Sequence, residues 1–348
     1  MVVFELPATR EGSALRAVSL GSCRVRNPMF VLRDRGALRI LAEGPTPTHT
    51  AEEAGQSLAF FMGEQTIPED LNKFVFEYDH RPVQERLGRA LHQGADVFLL
   101  EISDDKQFSY ENTFLNQNFV SRHFVQPYRG ALLDWYREIS RCQPAAESTV
   151  EAALEKLRIG GFRHDEDMAA LLRGIHLEKR NGDEIAATLK ALTSKMGGRW
   201  VIVGPFTIPG DKGDVMTRRR AFNKALRAAA ESCGATFFNP TRLLRRHGKE
   251  GVLAAGVSIY EYEESFYPTL GAALIKQIRT VGPASGASVA PPNAGTPLAP
   301  LPLPEITRSA LAIWLEAKTV AFLRRCRSRL RKLYRGLTRT SPVRRAPP

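Results

Sequence analysis

The stretch RAVSLGSCRVRNP, Arg16–Pro28, joins a short apolar run to a turn of small residues, then to a basic segment ending at a proline. The run Arg16–Leu20 has the length and the following turn signal of a buried strand. Gly21 permits a tight turn. Two side chains capable of nucleophilic attack, Ser22 and Cys23, come directly after it. Open α/β sheets collect their ligands just past the carboxyl ends of their strands. The segment is therefore either the nucleophile turn of an α/β enzyme or an ordinary tight turn. Arg24 and Arg26 flank it, placed to meet an anionic substrate or a coenzyme phosphate.

Outward from this stretch, three further apolar runs bounded by turn residues read as strands: Ala95–Ile102, Trp200–Phe206 and Ala235–Phe238. Helical patterns lie between and after them. Ala51–Met62 has Thr50 as N-cap and Glu53 in place for a capping box. Val83–His92 follows, then Arg218–Cys233 closed by Gly234, then Thr269–Arg279. Alternating strands and helices imply parallel strands joined by right-handed crossovers. The expected fold is α/β, a doubly wound, mostly parallel sheet in three layers of flavodoxin-like form, occupying residues 1–280. The section 106–198 breaks the alternation. Its helical patterns, Ser148–Arg158, Asp165–Gly174 and Asp183–Met196, predict a mostly helical insertion able to cap the site.

The chain has 348 residues and a formal charge of +12. The tail 305–348 holds twelve Lys/Arg and two Glu, a net +10, which leaves about +2 for the other 304 residues. The basicity belongs to the tail and does not mark the body as a nucleic-acid binder. Residues 281–304, rich in Pro, Ala and Gly, read as a linker. In 305–348 the apolar residues Ile306, Ala310, Trp314, Ala317 and Ala321 recur at helical spacing ahead of a polybasic half. That pattern predicts an amphipathic helix for an anionic membrane surface, or one that docks on protein. The scattered cysteines Cys23, Cys142, Cys233 and Cys326 suit a reducing, cytoplasmic setting and form no zinc pattern. No signal-peptide pattern opens the chain, and no apolar run is long enough to span a bilayer. The expected location is cytoplasmic, peripheral to the inner face of the membrane.

The order of blocks in the body resembles the SGNH/GDSL hydrolase superfamily, and within it the GSCFA-type and capsular-polysaccharide branches whose first block reads Gly-Ser-Cys or Gly-Asn-Cys. Gly21-Ser22-Cys23 stands at the first block, DVFLLEISDD at the second and ESFYPTLGAALIKQI at the last. The resemblance covers about Leu15 to Ile278, with 106–198 unmatched. It implies Cys23 as nucleophile and Ser22 in the acidic position. Ser103 takes the place of an oxyanion-hole Asn, supported by the Cys23 N–H, with Glu101 beside it. Glu264 and Tyr267 stand where the family carries Asp and His. Tyrosine, with an unperturbed pKa of about 10, is a poor base near neutral pH. A thiol needs less help than a hydroxyl, and His49, just ahead of a capped helix, is the substitute base; its alternative is a solvent-exposed loop histidine. The implied activity is ester hydrolysis or acyl transfer on a carbohydrate or surface polysaccharide. It requires no cofactor, with acyl-coenzyme A as a donor if transfer is the reaction. The rival is a catalytically inactive binding or scaffolding protein of an envelope-glycan pathway.

Two other segments attract notice. RHDEDM, Arg163–Met168, looks like a metal-ligand run but is explained by helix capping. TRRRAFNK, Thr217–Lys224, is suited to a phosphate or sugar acid, or to a solvated helix face.

Overall fold

In the computed structural model, residues 14–43, 47–76, 88, 91, 94–207, 215–248, 252–253 and 262–280 are described. The linker 281–304 and the basic tail 305–348 lie outside the described residues, as does the helix expected over Val83–His92, apart from residues 88 and 91.

Five parallel strands form the central sheet: β1 (Leu15–Leu20), β2 (Leu38–Glu43), β3 (Val97–Glu101), β7 (Arg199–Val203) and β8 (Thr236–Phe238). Their order is β2-β1-β3-β7-β8, with every pairing parallel. This is the doubly wound order 2-1-3-4-5, and its switch point lies between β1 and β3. Alternate strand residues divide between two cores. Val18, Leu20, Phe98, Leu100, Trp200 and Ile202 point to one face, and Ala17, Val97, Leu99, Val201 and Val203 to the other. The first face is covered by α2 (Ala51–Phe61), α6 (Gly182–Met196) and α7 (Val215–Ser232), the second by α1 (Cys23–Asp34) and α9 (Tyr267–Thr280). Phe98 stacks on Trp200 at 4.5 Å between ring centroids, tying β3 to β7.

Several elements differ from the sequence reading for identifiable reasons. β2 carries Arg39 and Glu43 and lies at the sheet edge, where charged residues are tolerated, so its apolar signal is weak. β7 stops at Val203 because Gly204-Pro205 follows and proline cannot donate to a ladder.

The section expected to be mostly helical also holds a three-stranded antiparallel sheet, ordered β5-β4-β6: β4 (Lys106–Tyr110), β5 (Thr113–Leu115) and β6 (His176–Lys179). Its polar residues Gln107, Ser109 and Thr113 are buried, which hides the strand pattern from a hydropathy reading. Three helices accompany it, α3 (Arg129–Ile139), α4 (Glu147–Ile159) and α5 (Glu166–Gly174). Asp165 caps α5 by accepting from the Met168 N–H at 3.0 Å, so the RHDEDM run is a helix start. The helix expected over Asp183–Met196 is α6. It packs against α2 and α7 and serves as the crossover that returns the chain to β7. The last short helix of the body, α8 (Thr241–His247), follows β8.

Candidate active site

At the switch point, Gly21 leaves β1 with φ +146°, and a Cβ there would lie 2.6 Å from Glu101 Cβ. A side chain is excluded on both counts. This close approach lets the backbone pass over the end of β3. Ser22 becomes the N-cap of α1, its Oγ accepting from the Arg24 N–H at 3.2 Å.

Glu101, the last residue of β3, is 2% exposed. Its carboxylate accepts from the Ser22 N–H at 2.8 Å and the Ser22 hydroxyl at 2.6 Å, and pairs with Arg24 Nη2 at 2.5 Å. Arg24 Nε also donates to Ser22 Oγ at 3.2 Å. The Ser22 hydroxyl thus donates once and accepts twice, which occupies its hydrogen-bonding capacity. Burial, the largest influence, opposes the Arg24 charge, but Glu101, Tyr262 and Cys23 together outweigh it and hold the guanidinium above its ordinary value. Ser22, Arg24 and Glu101 form a neutralised cluster that pins the start of α1 to the end of β3. Glu101 does not line the cleft; Arg24 does, with its charge directed at Glu101.

Cys23, the first residue of α1, lines a cleft of about 440 Å³ with His49, Ser103, Asn118, Arg26 and Arg219. A helix N-terminus favours negative charge, through its aligned peptide dipoles and its unsatisfied N–H groups. Arg26 adds a cation at the rim, and its buried Nε has no hydrogen-bond partner.

His49 is held from three sides. Its carbonyl accepts from the N–H groups of Ser103 at 2.9 Å and Asp104 at 3.1 Å. Its own N–H donates to the Glu53 carboxyl at 3.0 Å. In the ring, Nδ1 lies 3.0 Å from Ser103 Oγ and Nε2 lies 2.8 Å from the Asn118 amide nitrogen. With that amide donating, the ring proton sits on Nδ1 and is given to Ser103 Oγ. Burial pulls the imidazole down to about 4; Glu101 opposes this and Arg24 adds to it. The ring is therefore neutral at neutral pH.

The capping box expected at α2 forms only in part. Thr50 Oγ1 accepts from the Glu53 N–H at 3.2 Å, while the Glu53 carboxyl reaches one residue further back, to His49. Asn116 Nδ2 also donates to Glu53, at 3.1 Å. Burial, the dominant cause, pushes Glu53 up to about 8 despite those bonds.

Of the residues expected from sequence, Ser22, Cys23, Arg24, Arg26, His49 and Ser103 come together along this cleft. Glu264 and Tyr267 do not line it. Glu264 is exposed, and the Tyr267 hydroxyl accepts from Asn27 Nδ2 at 2.9 Å. Asn118, Glu53 and Asn116 were missed, while Arg219 falls in the TRRRAFNK segment noted for an anion. Asn116 and Asn118 fall in the section unmatched by any family block, and Glu53 looked like an ordinary capping residue. In the sequence NQN, the Asn116 side chain caps the turn by accepting from the Asn118 N–H at 3.0 Å; that local capping signal was the available clue.

Residues 15–277 match the family model described as the TviD N-terminal domain. The chain belongs to that family. A curated relative, the Vi polysaccharide biosynthesis protein TviD of Salmonella typhi, is 24% identical over 272 residues, 75% of this chain but 31% of the relative. The chain thus matches about a third of that protein's length. Two solved structures of Axe2, an acetylxylan esterase from Geobacillus stearothermophilus, are distantly similar, at 11% and 14% identity and a TM-score of 0.35 in each case. The likeness covers 77% of this chain and 95% of theirs. The family match carries the switch-point segment, the His49 loop and the strand end at Ser103 within one domain.

Proposed function

We propose that this domain is a thiol-dependent esterase or acyltransferase acting on a carbohydrate, in the service of surface-polysaccharide assembly. One observation carries the reading: Cys23, at the N-terminus of α1, shares a cleft with a neutral, hydrogen-bonded His49 at the carboxyl edge of the sheet. The sulfur of Cys23 attacks the acyl carbonyl carbon. Its proton passes to His49 Nε2 as Asn118 gives up that nitrogen. The carbonyl electrons move onto oxygen, where the Ser103 hydroxyl and the positive end of α1 stabilise them. Collapse expels the donor alkoxide or thiolate, which takes the proton from His49 and leaves an acyl group on sulfur. Water or a sugar hydroxyl then accepts that group. Arg26 and Arg219 supply positive charge for an anionic substrate. The SGNH-like block order and the polysaccharide role named for the relative support the substrate class. The basic tail is proposed to hold the protein on the cytoplasmic face of an anionic membrane.

A second reading, an inactive carbohydrate-binding domain, draws on Tyr267, which is engaged with Asn27 in place of a family histidine. Hydrolysis of aryl acetates and acetylated sugars, with acetyl-coenzyme A as alternative donor, separates the two. Turnover abolished by Cys23→Ala supports the enzyme. Equal rates for wild type and variant on every substrate support the binder.

A further inference from the structure

A second concavity opens at the same edge of the sheet, beyond β7 and β8. It encloses about 350 Å³ and is lined by Thr207, just past β7, by Asn239, just past β8, and by one face of α7. That face presents Arg220, Lys224 and Arg227. Their spacing, i, i+4 and i+7, keeps the three on one stripe, over about 10 Å of helix axis. All three are exposed, and none has a carboxylate partner among the described residues. The Arg227 guanidinium lies over the Phe237 ring, 5.3 Å from its centroid, making a flat cationic and aromatic surface at one end of the stripe.

Between the cations, buried Asn223 also lines the groove. Its Nδ2 donates to the Pro205 carbonyl at 2.7 Å, while its Oδ1 has no donor. Like charges along one helix face are mutually destabilising. Here Glu231 is the one acidic residue on the described part of that stripe, and no ion pair is formed with it among the described residues, whereas α4 pairs Arg158 with Glu155.

The geometry points to a binding site for a nucleoside diphosphate moiety. Its phosphates run along Arg220 and Lys224, and its base stacks at Arg227–Phe237. An elongated anion fits a cationic row about 10 Å long better than a single phosphate does. Two kinds of molecule carry this moiety: an acyl carrier such as coenzyme A, and a nucleotide sugar. Arg219, the neighbour of Arg220, lines the Cys23 cleft, so the groove and the cleft both border α7. The donor role rests on the acyl-transfer reading; the binding itself does not.

The test is calorimetric titration of the full chain carrying Cys23→Ala, which removes turnover. The titrants are coenzyme A, ADP, a UDP-sugar and an oligogalacturonate. At least one nucleotide should bind with an affinity that falls steeply with salt. Arg220→Ala/Lys224→Ala/Arg227→Ala, at unchanged melting temperature, should weaken it about ten-fold or more. Preference for coenzyme A assigns the groove to an acyl donor, and preference for the UDP-sugar to a nucleotide sugar. The inference is overturned if no nucleotide binds, if the triple variant binds as tightly as its parent, or if the oligogalacturonate binds as well as the nucleotides through the same residues. Nucleotide binding without any acylation of Cys23 in the parent chain would keep the groove and discard the acyl-transfer reading. Acylation of Cys23 without nucleotide binding would do the reverse.

Discussion

His49 Nδ1 lies 3.0 Å from the Ser103 hydroxyl, joining the loop ahead of α2 to the end of β3 across the mouth of the Cys23 cleft. The contact gives each partner a task. In the proposed mechanism Ser103 fixes the ring orientation and keeps a hydroxyl proton for the developing oxyanion. Ser103→Ala should therefore lower kcat by roughly 10²-fold, with a smaller change in KM. Steady-state kinetics on an aryl acetate checks this; an unchanged kcat removes Ser103 from the mechanism.

Asn118 lies 2.8 Å from His49 Nε2 and, in the proposed mechanism, is a positioning residue that holds that nitrogen until it takes the thiol proton. Asn118→Ala should free the ring to turn and to take up water, raising its pKa toward the ordinary 6.5 of histidine. The acid limb of kcat/KM should move to higher pH as a result. A structural role alone would lower the rate without moving the limb.

The wild-type profile has its own signature. In the proposed mechanism His49 must be neutral to act, and burial holds it down to about 4. The acid limb set by this ring should fall near pH 4, well below the position of an ordinary histidine base. The same shift affects stability: the unfolded chain binds a proton at this residue below about 6.5, which the folded chain refuses until about 4. Stability therefore falls as pH drops through that window.

Glu53 acts in the opposite sense. Raised to about 8, it holds a proton in the folded chain that the unfolded chain loses above its ordinary value. Stability falls as pH rises from about 4.5 toward 8. Glu53→Gln keeps an acceptor for the His49 N–H and cannot ionise. The variant should match wild type near pH 4 and be the more stable of the two at pH 9. Urea unfolding at the two pH values reads the difference, and equal stability at pH 9 would show that Glu53 ionises freely.

Much of this was legible in the chain. The strand and turn at Leu15–Ser22 announced themselves through an apolar run and a glycine, whereas α1, basic at its start and holding Pro28, was not read as a helix. The α/β order followed from alternation, and it placed Cys23 and Ser103 at one sheet edge. The fate of Ser22 was not legible. Only the Gly21–Glu101 approach shows that its hydroxyl is consumed by Glu101 and Arg24, which leaves Cys23 for the cleft. Asn118 was invisible because it comes from the inserted section, and its partner His49 is 69 residues away. Long-range polar pairs leave no periodicity to read. Tyr267 was placed by block order at the family's histidine position, whereas its hydroxyl accepts from Asn27 and it does not line the cleft.

Mass spectrometry of the full chain quenched during turnover of an activated acetyl ester tests the central claim most directly. The account predicts one acyl group on the peptide that contains Cys23, absent from Cys23→Ala and trapped for longer in His49→Ala. Turnover with no acyl group on Cys23, or acylation at Ser22 or Ser103 instead, would contradict it.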